Sequence, residues 1–263
     1  MKINRTVLVF IASLLLIAGV SHAQSDAATD PILTEASELF ATASFNYTLN
    51  MDASFNGADL DASGTGAVQA PLSGFLGMGA QSRGLSLNMD GHLEGIPIDV
   101  DTVALGGTLY MRGLPSDSWV ASPASVFAGG AVVNPRTVDD SFLAVTRETD
   151  DTIGGAAVAV FNFDYDLAHP AAQTMIAGAT AGLDDMGGLI ATGQQAADIF
   201  ASGSLTMTQY IDLNTKAVRR IDIDFDVDDT ELAIQIDIPE GYSNNVTVTA
   251  PADARPLTEA LNE

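Results

Sequence analysis

The sequence predicts an α+β fold built around one large antiparallel sheet. Runs of alternating apolar and polar residues fill most of the chain, while helical patterns are confined to its start and middle. The clearest run is IDIDFDVD at 221–228. A strand of period two sets Ile221, Ile223, Phe225 and Val227 on one face and Asp222, Asp224, Asp226 and Asp228 on the other. A slip of one residue would bury the carboxylates, so the register is firmly set. The apolar row needs a core or a ligand to cover it. The Asp row is a solvated outer wall, a metal ladder or a catalytic pair.

The elements follow in order. Asp30-Pro31 suits a helix start, with Asp as cap and Pro in the first turn. Ile32, Leu33, Ala36, Leu39, Phe40 and Ala43 recur at helical spacing, which predicts an amphipathic helix over 31–43. In FNYTLNMDASF the residues Phe45, Tyr47, Leu49, Met51, Ala53 and Phe55 alternate with polar ones. Asn56-Gly57 signals a hairpin, and LDASGTGAV returns with Leu60, Ala62 and Val68 inward. The Gly-rich PLSGFLGMGAQ reads as a loop. LSLNMDGHLEG alternates through Leu85, Leu87, Met89 and Leu93. IPIDVDTVALGG, and TLYMRGL with Leu109 and Met111, complete a first meander that ends at Trp119.

Residues 120–150 change character, with Pro123, Pro135 and a short helix expected around Asp139–Thr146. A strand at 156–167 carries Phe161, Phe163 and Tyr165 on one face. From His169 to Phe200 the pattern is helical in part, loosened by Gly178, Gly182, Gly187, Gly188 and Gly193. A stretch of such low helix stability, carrying few charges, is expected to act as a mobile lid over 170–200. GSLTMTQYIDLNT (with Leu205 and Met207), KAVRRIDIDFDVD, TELAIQIDI (with Ile234, Ile236 and Ile238) and NNVTVTA form a second meander. A short turn or helix should follow Pro251.

The first residues read as an export signal. Lys2 and Arg5 precede an apolar run from Val7 to Val20, and Ser21-His22-Ala23 offers small residues where a signal peptidase reads. The run is short for a membrane span. Cleavage after Ala23 is expected, with Gln24 to Glu263 forming a single mature domain in the periplasm or outside the cell. An uncleaved anchor is the other reading.

Composition narrows the chemistry. There is no cysteine, which excludes disulfides, a lipid-modified N-terminal Cys, thiolate metal sites and a Cys nucleophile. The chain has 34 acidic residues against 10 Lys and Arg, two of which lie in the signal. Lys216 is the one lysine outside it. A field of this sign repels nucleic acid and anionic membrane surfaces. The 47% hydrophobic content nevertheless supplies a core.

Catalytic and metal signatures are sparse. Outside the signal only His92 and His169 remain, the first on the polar face of its strand and the second before Pro170. No G-x-S-x-G elbow, H-E-x-x-H helix or phosphate-binding loop occurs. A calcium loop starting at Asp222 needs Gly at its sixth position and Glu at its twelfth, where Val227 and Ala233 stand. The outer-wall reading of the Asp row is therefore preferred, and no metal or cofactor is expected. An acid-pair hydrolase has many accidental carboxylate pairs to draw on but no aromatic sugar cleft, since the chain has one Trp.

Several stretches together resemble the outer-membrane lipoprotein carrier superfamily (LolA/LolB-like), above all its lipid-binding relatives of the LppX/LprG type. They are the N-terminal helix running into FNYTLNMDASF, the segment TLYMRGLPSDSWV and the strand AAVAVFNFDYDL leading into a helix. The fourth is YIDLNTKAVRRIDIDF, followed by a late Pro. The resemblance covers nearly the whole mature chain. It implies a strongly curved antiparallel half-barrel with helices covering its concave face and an apolar cavity for acyl chains between them. Lipid-anchored members carry an N-terminal Cys, which is missing here, so a diffusible carrier or a stand-alone binding protein is implied.

The candidate ligand-binding residues are the apolar stripes of the strands. On the N-terminal side these are Phe45, Tyr47, Leu49, Met51, Leu87, Met89, Leu109 and Met111. On the C-terminal side they are Phe161, Phe163, Leu205, Met207, Ile223, Phe225 and Ile236. Met singly is more often core filler, but flexible Met and Leu walls together suit acyl chains of varied shape. Each buried methylene gains about 0.8 kcal/mol. The leading expectation is a non-enzymatic, monomeric exported carrier of lipid or acylated lipoprotein, served by an envelope donor or acceptor protein. The alternative is a structural or adhesive surface protein with a closed core, and an acid-pair hydrolase comes third.

Overall fold

The computed structural model describes residues 30–55, 58–69, 84–113, 117–123, 142–173, 203–227, 230–243 and 245–260. Helix α1 spans Pro31–Thr42, close to the expected 31–43. Asp30 caps it, its Oδ1 accepting from the Ile32 N–H at 2.8 Å. Leu33 and Ala36 are buried, and Phe40 packs on Phe45 with ring centroids 5.2 Å apart. At Ala43 the backbone turns extended and enters the first strand.

The first run of strands is β1 Phe45–Phe55, β2 Ala58–Gln69, β3 Gly84–Leu93, β4 Ile96–Leu105, β5 Thr108–Arg112 and β6 Val120–Pro123. The second is β7 Leu143–Arg147, β8 Asp151–Ile153, β9 Ala156–Tyr165, β10 Ser204–Asp212, β11 Val218–Val227 and β12 Thr230–Asp237. A two-residue β13, Arg255–Pro256, leads into the terminal helix α2, Leu257–Ala260. The strands of the described residues form one open, curved sheet in the order β13-β6-β5-β4-β3-β2-β1-β12-β11-β10-β9-β7, with β8 beside β9. All pairings are antiparallel except β13 on β6. The meanders meet where β1 pairs with β12 in the middle of the sheet.

Close approach at β2 and β3 depends on glycine. Tyr47 lies across Gly66, where a Cβ would stand 2.2 Å from the ring, and its hydroxyl donates to the Ser86 carbonyl at 3.0 Å. At Gly91 a Cβ would meet the Asp61 carbonyl oxygen at 2.3 Å. Glycines at inward positions let neighbouring strands bend together where a side chain would hold them apart.

Three expectations differ from the structure. The helix expected around Asp139–Thr146 is instead strand β7 over its described part, because Leu143 and Val145 pair with Tyr165 and Phe163 of β9. Their period of two, set on a buried face, overrides the short helical pattern. NNVTVTA is not a strand across 245–250. Its Val248 N–H donates to the Gln69 side chain at 2.9 Å and the Val248 side chain is buried beside Gly84, so a side-chain bond and packing stand there in place of a strand partner. The tail contributes β13 to the sheet, as well as the short helix expected there.

The supposed lid begins with a helical turn at 170–173, where His169 Nδ1 accepts from the Ala171 N–H at 3.2 Å. Beyond 173 that stretch, like the expected export signal and the Gly-rich segment at 70–83, lies outside the described residues. Among the described residues no helix is long and apolar enough to cross a membrane.

Candidate functional site: an apolar face with a polar corner

Strand register assembles the site. One row runs Val100, Met89, Gly64, Leu49, Ile236, Ile221, Gln209, Phe161 and Arg147 across nine strands. The next runs Gly91, Ala62, Met51, Ile234, Ile223, Met207, Phe163 and Val145. A third joins Leu93, Leu60, Ala53, Leu232, Phe225, Leu205, Tyr165 and Leu143. A fourth links Tyr47 through Gly66, Leu87 and Thr102 to Met111. Phe45 and Leu109 belong to the adjoining row through Val68, Leu85 and Ala104. Every predicted ligand residue thus stands on one face of one sheet.

All of them are buried except Leu109 and Met111, which are half-buried at the β5 end. The face is continuous because each strand keeps its alternation and no described bulge reverses it; the register shift at Tyr210/Ile211 sits at the end of β10. Burial pushes the Tyr47 and Tyr165 hydroxyls well above the usual tyrosine range, so both are neutral there. Phe142, Leu167 and Ala172 pack onto the same cluster from the segments flanking β7 and β9.

Polar groups enter this face at one corner. Gln209 is buried between Ile221 and Phe161. Arg147 ends the row, its guanidinium 5.7 Å from the Phe161 ring centroid. It donates to Asp30 at 2.9 Å and to Asp150 at 3.1 Å. Neither residue stands out in the sequence. Gln209 follows Met207 at the strand period and could have been found by that spacing alone, whereas the helical reading of 139–146 hid the face to which Arg147 belongs.

The opposite face is polar. Asp224 and Asp226 are exposed, but Asp222 is half-buried, which corrects the expectation that the whole Asp row is solvated. Its Oδ1 is buried without a hydrogen-bond partner. Burial raises the Asp222 carboxyl above its ordinary value, and nearby Asp237 and Asp224 add to this against the Tyr210 hydrogen bond and Arg220. Asp228 lies outside the described residues. Like charges face each other directly at Asp52 and Asp61, Asp90 and Asp99, and Asp226 and Glu231. His92 is exposed on this face. Among the described residues no group of three or more His, Asp or Glu side chains is placed to hold a metal ion.

A buried carboxylate fixes the turn between β10 and β11. Burial pushes the Asp212 carboxyl up, but bonds from the Thr215 N–H, the Arg219 guanidinium and the Asn214 N–H outweigh it and hold the group at about 2. The backbone bonds are both 2.9 Å, as is the ion pair to Arg219. Because the folded value lies below the unfolded one, this carboxylate stabilises the fold above pH ~4 and the contribution is lost as pH falls towards 2. Asp212→Asn is expected to cost about 2 kcal/mol at pH 7. In denaturant midpoints the gap to wild type should close between pH 4 and 2. A gap unchanged across that window would show that the ion pair and caps contribute little.

No family model matches the chain and no curated protein matches it. Among solved structures it is similar to the lipoprotein LppX of Mycobacterium tuberculosis, with 13% identity and a TM-score of 0.47 over 91% of this chain and 99% of that one. LprF from Mycobacterium bovis is similar at 15% identity and a TM-score of 0.41, over 88% of this chain and 99% of that one. A putative outer membrane lipoprotein-sorting protein domain from Vibrio parahaemolyticus follows at 5% identity and a TM-score of 0.26, covering 82% and 92% of the two chains. These are the kinds of protein whose resemblance was read from the sequence. At such identities the functional reading rests on this chain's own residues.

Proposed function

We propose that the protein is an exported, non-enzymatic carrier that binds acyl chains of a lipid or lipoprotein on the apolar face of its sheet. The mature chain, Gln24 to Glu263, acts as one domain and as a monomer, and exchanges its ligand with donor or acceptor proteins of the envelope. One observation carries this reading: apolar side chains line up in register across both meanders, interrupted at Gly64, Gly66, Gly91, Thr102 and Gln209, with Met51, Met89, Met207 and Met111 spread among them. Adaptable thioether side chains accommodate chains of differing shape.

The closed-core alternative, a structural or adhesive surface protein, is favoured by a separate observation. Leu49, Met51, Phe225 and Ile238 are each at most 1% exposed, as in a core already filled by its own side chains.

Native mass spectrometry of the gently purified protein, paired with uptake of a fluorescent fatty acid, separates the two. A co-purifying mass of lipid size, or saturable uptake, is expected of the carrier. A clean mass of the bare chain together with no uptake would sink it.

A further inference from the structure

We propose that Arg147 is the headgroup contact of this face, so that the preferred ligand is an amphiphile whose acyl chain ends in an oxyanion, a carboxylate or a phosphate. The inference rests on the carrier reading and specifies its ligand. Arg147 occupies a row of the apolar face, and its guanidinium lies over Phe161, a ring 1% exposed. Its own side chain is 39% exposed, so one residue spans from the apolar rows to solvent. An acyl chain lying along Phe161 and Phe163 would bring its head to this guanidinium.

Of the other described arginines, three are engaged elsewhere. Arg112 and Arg220 stand on the polar face, paired there with Asp101 and Asp237. Arg219 is bound to the buried Asp212 and to the Pro239 carbonyl. Arg255 ends a row of the same face at the far edge, beyond the half-buried Met111.

The partners of Arg147 suit an exchange. Asp30 and Asp150 each take one bond, from different terminal nitrogens. A ligand oxyanion can take two parallel bonds on the same fork, which is the stronger geometry. An oxyanion that takes both bonds displaces Asp30 and Asp150 together and leaves Arg147 paired. Asp30 meanwhile keeps its bond from the Ile32 N–H at the start of α1.

The test uses the full mature protein and two matched pairs of probes. A fluorescent fatty acid is compared with its methyl ester, and phosphatidylglycerol vesicles with phosphatidylcholine vesicles as lipid source. Wild type should prefer the anionic member of at least one pair by roughly tenfold to a hundredfold. Which pair shows the preference names the carboxylate or the phosphate as the source. Arg147→Met should abolish the preference, Arg147→Lys should restore part of it, and Asp30→Asn should strengthen anionic uptake severalfold.

An unchanged preference in Arg147→Met, or an equal loss for charged and neutral probes, would overturn the assignment. If Arg147→Met does not fold, Asp30→Asn decides: no gain in anionic uptake overturns it. Uptake of none of the four probes by wild type would instead remove the carrier reading itself.

Discussion

Phe225→Ala should lower the stability of this protein by about 3–5 kcal/mol, and Phe225→Asp should leave it unfolded. Phe225 is 1% exposed and lies between Leu205 and Leu232 in its row. Gly203 abuts its ring, where a Cβ would come within 2.9 Å. Truncation therefore opens a void that backbone on that side has little room to fill. A carboxylate at the same place meets apolar neighbours on both flanking strands. Denaturant midpoints on both variants, beside the uptake assay, give the comparison. A loss of that size with no uptake by the wild type would overturn the carrier reading, whereas a loss below about 1 kcal/mol with altered ligand preference would place this ring on a cavity wall.

The second large effect concerns the polar face. Raising the salt concentration from about 10 mM to 1 M should stabilise the fold by on the order of 3 kcal/mol, as the screening length falls from about 30 to 3 Å. Among the described residues three pairs of carboxylates face each other across neighbouring strands, in a chain of formal net charge −24. Like charges directly opposed on a sheet cost a few tenths of a kcal/mol or more each, and folding concentrates the remaining charge as well. Asp90→Asn should raise the midpoint at low salt and leave it unchanged at 1 M. A midpoint that is flat or falls with salt would mean that the carboxylates are already compensated.

Most of this architecture was legible because the sequence alternates at period two with charges on the solvent side. Asp224 and Asp226 leave Phe225 no choice of face, and the same logic orders Met51 between Asn50 and Asp52. Elements without that contrast were not legible. β7 is short, and Leu143 and Val145 fit a helical face as well as a strand until β9 is there to pair with them. In NNVTVTA the alternation is present, yet its backbone bonds to the Gln69 side chain and not to a neighbouring strand. β13 has two residues, too few to carry any period. For the site, the apolar rows were readable strand by strand. The polar corner was not, because Arg147 and Gln209 are brought together only by the pairing of β7 and β10 on either side of β9.

The seam between β1 and β12 also bears on how the chain comes to be folded. Thr48 sits opposite Asp237, so the centre of the sheet unites residues from near the two ends of the chain. The first meander has an open edge along β1 until β12 has been made. Contacts of such long sequence separation form late and slowly, because a large loop must close before they give any return. A protein that passes through a translocation channel has to remain unfolded on the way. For the exported carrier proposed above, a sheet completed by its last long strand would delay its own assembly until nearly all of the chain has emerged, and would leave β1 exposed to wrong partners in the meantime.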